Sequence, residues 1–199
     1  GATEAIRVGT GVTCPILRMH PVIVAHAAAT TALLFEGRFF LGLGTGEALN
    51  EHVLGQRWPV IEVRQEMLAE AMEVLRELWT GEMVDCHGTH YTVENAKLFD
   101  VPDEPIPVVI SAFGPKSAEL AARAGDGIWM TSPRQPVLDA FSSAGGTGPR
   151  IGQLTVCWAD SEEEAVETAL LVWPNAGIPG QLSQDPCPHR RTSNRHRRS

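Results

Sequence analysis

Cysteine is scarce in this sequence and badly spaced for cross-linking: of 199 residues only Cys14, Cys86, Cys157 and Cys187 are cysteines. None forms a Cys-x-x-Cys pair, so neither a disulfide framework nor a zinc ribbon is indicated, and free thiols in a reducing compartment fit. Long apolar runs are missing too. The longest, from Val22 to Phe35, is broken by His26, Thr30 and Thr31 and is too short to cross a bilayer. The opening GATEAIRVGT lacks the basic region and apolar core of a secretory leader, which makes the cytoplasm the expected location. Positive charge is short as well. Five of the sixteen basic residues crowd into the last thirteen, leaving eleven against 24 acidic over residues 1–186, a net charge of −13. That balance argues against a nucleic-acid partner.

What is present is enough for a core. The chain is 43% hydrophobic, with aliphatic residues spread along most of its length, as one globular domain or part of one requires. Apolar, β-branched segments ending in Gly or Ser/Thr recur: IRVGTGVT, RFFLGLGTG, PIPVVISAFG, DGIWMTSP and IGQLTVCWAD, each followed by a helical pattern. Such βα repetition predicts a parallel sheet with helices outside it, in a barrel or a doubly wound sheet. From Ile61 to Trp79 the apolar residues fall at three- and four-residue steps with glutamates between them, the pattern of a helix with one buried face. Ser161 and Glu164 form a capping box, and Gly114-Pro115 starts another helix. Between Met83 and Pro102, Gly88 separates VDCH from HYTV, which reads as a hairpin insertion. After Pro186 the text CPHRRTSNRHRRS has no apolar period; residues 187–199 are expected to be a disordered or out-of-frame basic tail.

Three loops at strand ends are candidates for chemistry. Gly42-Leu43-Gly44-Thr45-Gly46-Glu47-Ala48-Leu49-Asn50 brings amides, a carboxylate and a carboxamide to the carboxyl end of a strand, where α/β proteins bind ligands. Its glycines fall as GxGxG and not as the GxGxxG dinucleotide fingerprint; the alternative is a tight turn with Glu47 solvated. Ser111 to Ser117 leads from the strand PVVI into AELAARAG, so free amides at that helix start, with Lys116 and Ser117, suit a phosphate; an ordinary proline-initiated helix is the alternative. Gly9 to Pro15 ends the first strand with two glycines, which suits a close approach of a flat ring. There Cys14 reads as a small packed residue, since nothing nearby in sequence lowers its pKa. Thr131 and Arg134 follow DGIWM, where a cation can grip an anionic substrate or stand solvated. Cys86, His87 and His90 lack a fourth spaced ligand, so no metal site is expected.

In order, GTGVTCP, FLGLGTGEALNE, the helix ending ELWTG, HGTHYTVENAKLFDVP, SAFGPKSAELAARAGDG and TVCWADSEEEAVETALLVWPNAGIPG resemble the luciferase-like superfamily, and within it the F420-dependent glucose-6-phosphate dehydrogenase branch. The resemblance covers roughly residues 5 to 186 and implies an α/β fold, an incomplete (β/α)8 TIM barrel of the luciferase-like type with a hairpin insertion. Residues 1–186 would then be a barrel fragment lacking its first and last units.

The resemblance also implies roles. Glu47 becomes the acid/base beside the deazaflavin ring of coenzyme F420. Val12, Cys14, Thr45, Gly46 and Asn50 line the cofactor, and Phe113, Gly114, Lys116 and Ser117 stand at its phosphate, with Phe113 departing from the family's Gly-Gly-Pro. Thr131 and Arg134 match a substrate threonine and a phosphate-binding lysine, and arginine there changes the geometry of the grip. The implied reaction is hydride transfer between an alcohol-type small molecule, sugar-phosphate-like or otherwise, and F420, by a protein that pairs as a homodimer at full length. The branch's histidine base would lie outside this chain, so the chain by itself is expected to be nearly inactive. An FMN-dependent monooxygenase of the same superfamily is the alternative.

Overall fold

The computed structural model describes residues 3–132 and 134–173. The basic tail and most of WPNAGIPG lie outside them. Among the described residues, five parallel strands form one sheet in the order β1-β2-β5-β6-β7: β1 is Val8–Gly9, β2 Phe39–Leu43, β5 Val108–Ser111, β6 Gly127–Met130 and β7 Arg150–Gly152. Helices α1 (Pro21–Phe35), α3 (Ile61–Leu78), α4 (Pro115–Ala124) and α5 (Gln135–Ser143) alternate with them in the chain. A parallel sheet with a helix in each connection is the α/β architecture of a barrel wall.

Alternation along each strand sends one row of side chains into the helical layer. Phe39, Leu41 and Leu43 of β2, Val108 and Ile110 of β5 and Ile128 and Met130 of β6 are buried in one cluster with α1, α3 and α4. The opposite row, Gly9, Phe40, Gly42, Val109, Ser111 and Trp129, is placed by the register pairs Gly9↔Phe40, Gly42↔Val109 and Ser111↔Trp129. Phe40 and Trp129 stack at a tilt, ring centroids 6.2 Å apart, over glycines that have no side chain to fill that face.

Helix α3 is the largest contributor to the core. Met67, Leu68, Ala71, Val74, Leu75 and Leu78 are buried at the spacing that the sequence shows, and full burial of each large apolar side chain contributes about 1.5–3 kcal/mol. Arg64 occupies the first position of the same buried stripe, 6% exposed. Helix α4 begins at Pro115, where the missing N–H costs nothing because the first turn has no acceptor for it.

The hairpin insertion is there, as strands β3 (Val84–His87) and β4 (Thr92–Ala96) paired antiparallel. His90 and Tyr91 belong to its turn, closed by the Gly88 amide donating to the Tyr91 carbonyl at 2.9 Å. The fifth strand is shorter than IGQLTVCWAD predicts. Its last ladder bond is Gln153 N–H to the Met130 carbonyl, and beyond that point Leu154 and Val156 are exposed, because β6 has ended and offers no further backbone partner.

The described chain divides into two compact bodies. Residues 3–46 with 59–156 make the sheet and its helices. Residues 47–58 with 157–173 make the second, which holds the short helix α2 (Ala48–Glu51), a 3₁₀ turn (His52–Leu54) and α6 (Glu162–Val172). The capping box forms as expected: the Glu164 amide donates to Ser161 Oγ at 3.2 Å.

Candidate active site

The carboxyl ends of β1, β2 and β5 lie side by side, and the loops after β1 and β2 are rich in glycine. The segment after β1 is stitched to β2: Thr10 Oγ1 donates to the Gly42 carbonyl (2.8 Å) and accepts from the Gly42 amide (3.0 Å), and the Thr13 amide donates to the same carbonyl (2.7 Å). One residue further, the Gly44 amide donates to the Thr13 carbonyl (2.9 Å). The Gly11–Val12 peptide is cis. A Cβ added at Gly44 would stand 2.8 Å from Val12 Cγ2 and 3.5 Å from Ser111 Cβ, so Val12, Gly44 and Ser111 form a strip at the carboxyl ends of β1, β2 and β5 in which a side chain at residue 44 would press on Val12. Val12 (37%) and Phe113 (48%) expose apolar surface at that end of the sheet.

Next to the strip, α4 points its amino terminus outward. Its cap is Gly114, in extended backbone, and a Cβ added there would meet nothing. The amides of the first turn have no acceptor in their own helix, and together with the helix dipole they suit an anion. Gln65 of α3 donates to Ser117 Oγ at 3.0 Å, and Lys116 Nζ pairs with Glu62 Oε1 at 3.0 Å. The amide at the start of α3 and the ammonium of Lys116 hold the Glu62 carboxyl below its ordinary range. Both partners are well exposed, so this pair is screened and Lys116 can exchange Glu62 for a phosphate oxygen.

The GTGE loop turns at Gly46, whose φ of 72° lies in the left-handed region that glycine adopts at no steric cost. Its carbonyl accepts from Arg64 Nη1 at 3.3 Å. Burial lowers the pKa of this guanidinium, while Cys14 and Glu62 oppose the shift. Sequence reasoning passed over Arg64, Gln65 and Glu62, although a cation at the head of an apolar stripe is a signal in itself: a buried charge must be gripping something.

Glu47 follows directly and caps α2 from extended backbone. Asn50 Nδ2 donates to Glu47 Oε2 at 3.4 Å, so two of the candidates meet. Burial pushes the Glu47 carboxyl above its ordinary range, the condition under which a glutamate holds and delivers a proton nearer neutrality. A raised folded-state pKa means that the fold favours the neutral acid. This contribution to stability is complete below the ordinary value of roughly 4.3 and is lost as pH rises through the folded value. Glu47→Gln is therefore expected to melt with the unmodified chain at pH 3.5 and above it at pH 8; equal melting temperatures at both would show that the carboxyl is not desolvated.

Thr131 and Arg134 are exposed just past β6, Arg134 as the cap of α5. Cys86 and His87 are consecutive on β3, and His90 faces Glu66 at 3.6 Å. No group of three or more His, Cys, Asp or Glu that could hold a metal ion occurs among the described residues, and no helix there is long and apolar enough to cross a membrane.

A parallel α/β wall, with Gly44 between Val12 and Ser111 and an open helix amino terminus at the carboxyl ends of its strands, is the arrangement of ligand-binding (β/α)-barrel enzymes. The match to a family model is specific: residues 1–198 fit the luciferase-like monooxygenase model, and the chain belongs to that family. It is 41% identical over 155 residues to an F420-dependent glucose-6-phosphate dehydrogenase of Microbacterium testaceum (strain StLB037), covering 73% of this chain and 46% of that protein. To an F420-dependent hydroxymycolic acid dehydrogenase of Mycobacterium tuberculosis it is 46% identical over 133 residues, 67% of this chain and 37% of the relative. Among solved structures, an F420-dependent secondary alcohol dehydrogenase in complex with an F420-acetone adduct superposes with a TM-score of 0.80 at 32% identity, over 89% of this chain and 58% of that one. The chain thus spans less than half the length of these curated relatives.

Proposed function

We propose that the whole protein is an oxidoreductase that moves hydride between an alcohol-type small molecule and coenzyme F420. One observation carries the reading: the Val12–Gly44–Ser111 strip, in which glycine adds no side chain of its own, and the open helix terminus occur in a chain that superposes on a dehydrogenase solved with an F420-acetone adduct. The residues present fit the group. Gly44 adds no side chain between Val12 and Ser111 where a ring would approach, and the first-turn amides of α4 suit a phosphate.

When bound, F420 supplies the hydride acceptor or donor. Around it Val12, Cys14, Thr45, Gly46 and Asn50 would border the ring, and Phe113, Gly114, Lys116 and Ser117 the phosphate. Phe113 brings a large exposed ring where the branch has glycine, so it shields one side of the phosphate from water. Thr131 and Arg134 would face the substrate, with Arg134 offering a planar fork to an anionic group. Glu47, its carboxyl raised by burial, would hold and move the proton that accompanies hydride transfer. A complete barrel has eight strands and the described sheet has five, so this chain alone is proposed to turn over substrate poorly, and the whole protein to work in the cytoplasm as a homodimer.

The test is a fluorescence titration of the chain, and of a chimera carrying it in place of the matching segment of the Microbacterium relative, with F420 and with FMN. Preference for F420 is expected. Preference for FMN would transfer the assignment to an oxygen-activating monooxygenase, and binding of neither would overturn the cofactor reading.

A further inference from the structure

Tyr91 is the chain's single tyrosine, and it sits in the turn of the β3–β4 hairpin, outside the three strand-end loops that are candidates for chemistry. Its ring is 6% exposed and meets His20 edge to face, centroids 5.5 Å apart at 83°. Its Oη donates to two carbonyls at once, Pro15 and Ile16, each at 3.1 Å. Burial, with Cys14 and Glu70 adding to it, raises the phenol pKa, so the hydroxyl stays a donor throughout the working pH range. The turn is itself held from α3. The Glu70 carboxylate accepts from the amides of Thr89 (3.1 Å), His90 (3.0 Å) and Tyr91 (2.7 Å), charge-assisted bonds of the stronger kind. A Cβ at Gly88 would overlap the Glu70 carboxylate, which would have to shift from the amides of the turn.

These bonds form a continuous path from α3 through the turn to residues 15–16. The same segment is tied to β2 at its other end by Thr10 and Thr13. Val12 lies between the Thr10 and Thr13 ties to β2, and Cys14 stands between Thr13 and the Tyr91 anchor at residues 15–16. A segment fixed at one end only would keep a fan of conformations; fixing both ends removes that freedom before a ligand arrives.

We propose that Tyr91, clamped by Glu70, is a positioning residue that holds the Cys14 end of the Val12–Cys14 segment against the ring end of the cofactor site. The hairpin insertion is then a brace for the ligand loop and not only an external embellishment. This rests on the deazaflavin reading above.

Tyr91→Phe keeps the buried ring and removes the two bonds; Glu70→Gln weakens the clamp from the other side and serves if the first variant folds poorly. Hydrogen exchange of the amides from Val12 to Ile16, which needs no cofactor, is expected to quicken about 5- to 10-fold in either variant, the scale of one lost hydrogen bond. The Kd for F420, and for the deazaflavin riboside lacking the phosphate tail, is expected to rise by the same factor, since the loss falls at the ring end. A merely structural tyrosine would lower the melting temperature and leave both Kd values where they were. That result, or unchanged exchange in residues 12–16, overturns the proposal while the cofactor reading stands. Failure of the unmodified chain to bind either deazaflavin overturns both.

Discussion

In the chimera with the Microbacterium relative, Glu47→Gln is expected to lower hydride-transfer turnover by about 10²- to 10⁴-fold, the usual worth of a positioned acid or base. The glutamine keeps the size of the side chain and an oxygen for the Asn50 amide, so the hydrogen bond to Asn50 can survive while the titratable proton is gone. F420 affinity should therefore change little. Steady-state and single-turnover kinetics separate the two quantities: a fall in kcat and kcat/KM together, at unchanged F420 Kd, is the signature of a proton lost from the reaction. Turnover within threefold of the parent would remove Glu47 from the chemistry and leave it as the cap of α2. Because its carboxyl is raised by burial and delivers a proton, the limb of the pH profile on which activity falls as pH rises through the Glu47 value should also shift or vanish in the variant.

Two glycines two residues apart are expected to fail in different ways, and the contrast tests the reading of the strip. A Cβ at Gly42 would overlap the carbonyl oxygen of Thr10, a backbone atom fixed by the same bonds that join β1 to β2. Neither strand can yield without breaking the ladder, so Gly42→Ala is expected to cost about 3 kcal/mol or more, at or above the upper end of overpacking effects, and to appear as a fall in the urea midpoint. At Gly44 the added atom meets the end of a side chain, Val12 Cγ2 at 2.8 Å, which can turn aside. Gly44→Ala should lose about 1 kcal/mol or less in stability and yet weaken F420 binding at least tenfold, because the methyl group stands where the ring must lie. Equal stability losses in the two variants, with F420 affinity intact in Gly44→Ala, would show that the strip is not the ring platform.

Much of this was legible in the sequence because it follows from local rules. Hydrophobic period marked α3 to within a residue, proline placed the start of α4, and Ser161 with Glu164 the start of α6. Turn chemistry found the hairpin but put His90 and Tyr91 in its second strand, since nothing local shows that Glu70, twenty residues earlier, collects the amides of the turn. The candidate loops lay at strand ends because βα repetition puts them there. Residue types alone left the Glu47 loop open between a ligand site and a tight turn with a solvated glutamate, and favoured a phosphate at the α4 start; the role of Glu47 came only from the family resemblance.

The tertiary structure decided what depends on contacts between distant segments. It placed Arg64 at the Gly46 carbonyl and Gln65 at Ser117, so that one helix, α3, steadies two of the three candidate loops. It also brought Tyr91 to Pro15 across 76 residues and stopped the fifth strand where its neighbour ended. The sequence by itself determined the periodicity, the caps and the order of βα units, because each depends on residues within a turn or two of one another. Only the fold could decide which loop leans on which helix, because a hydrogen bond between residues far apart in the chain leaves no mark on the spacing of either.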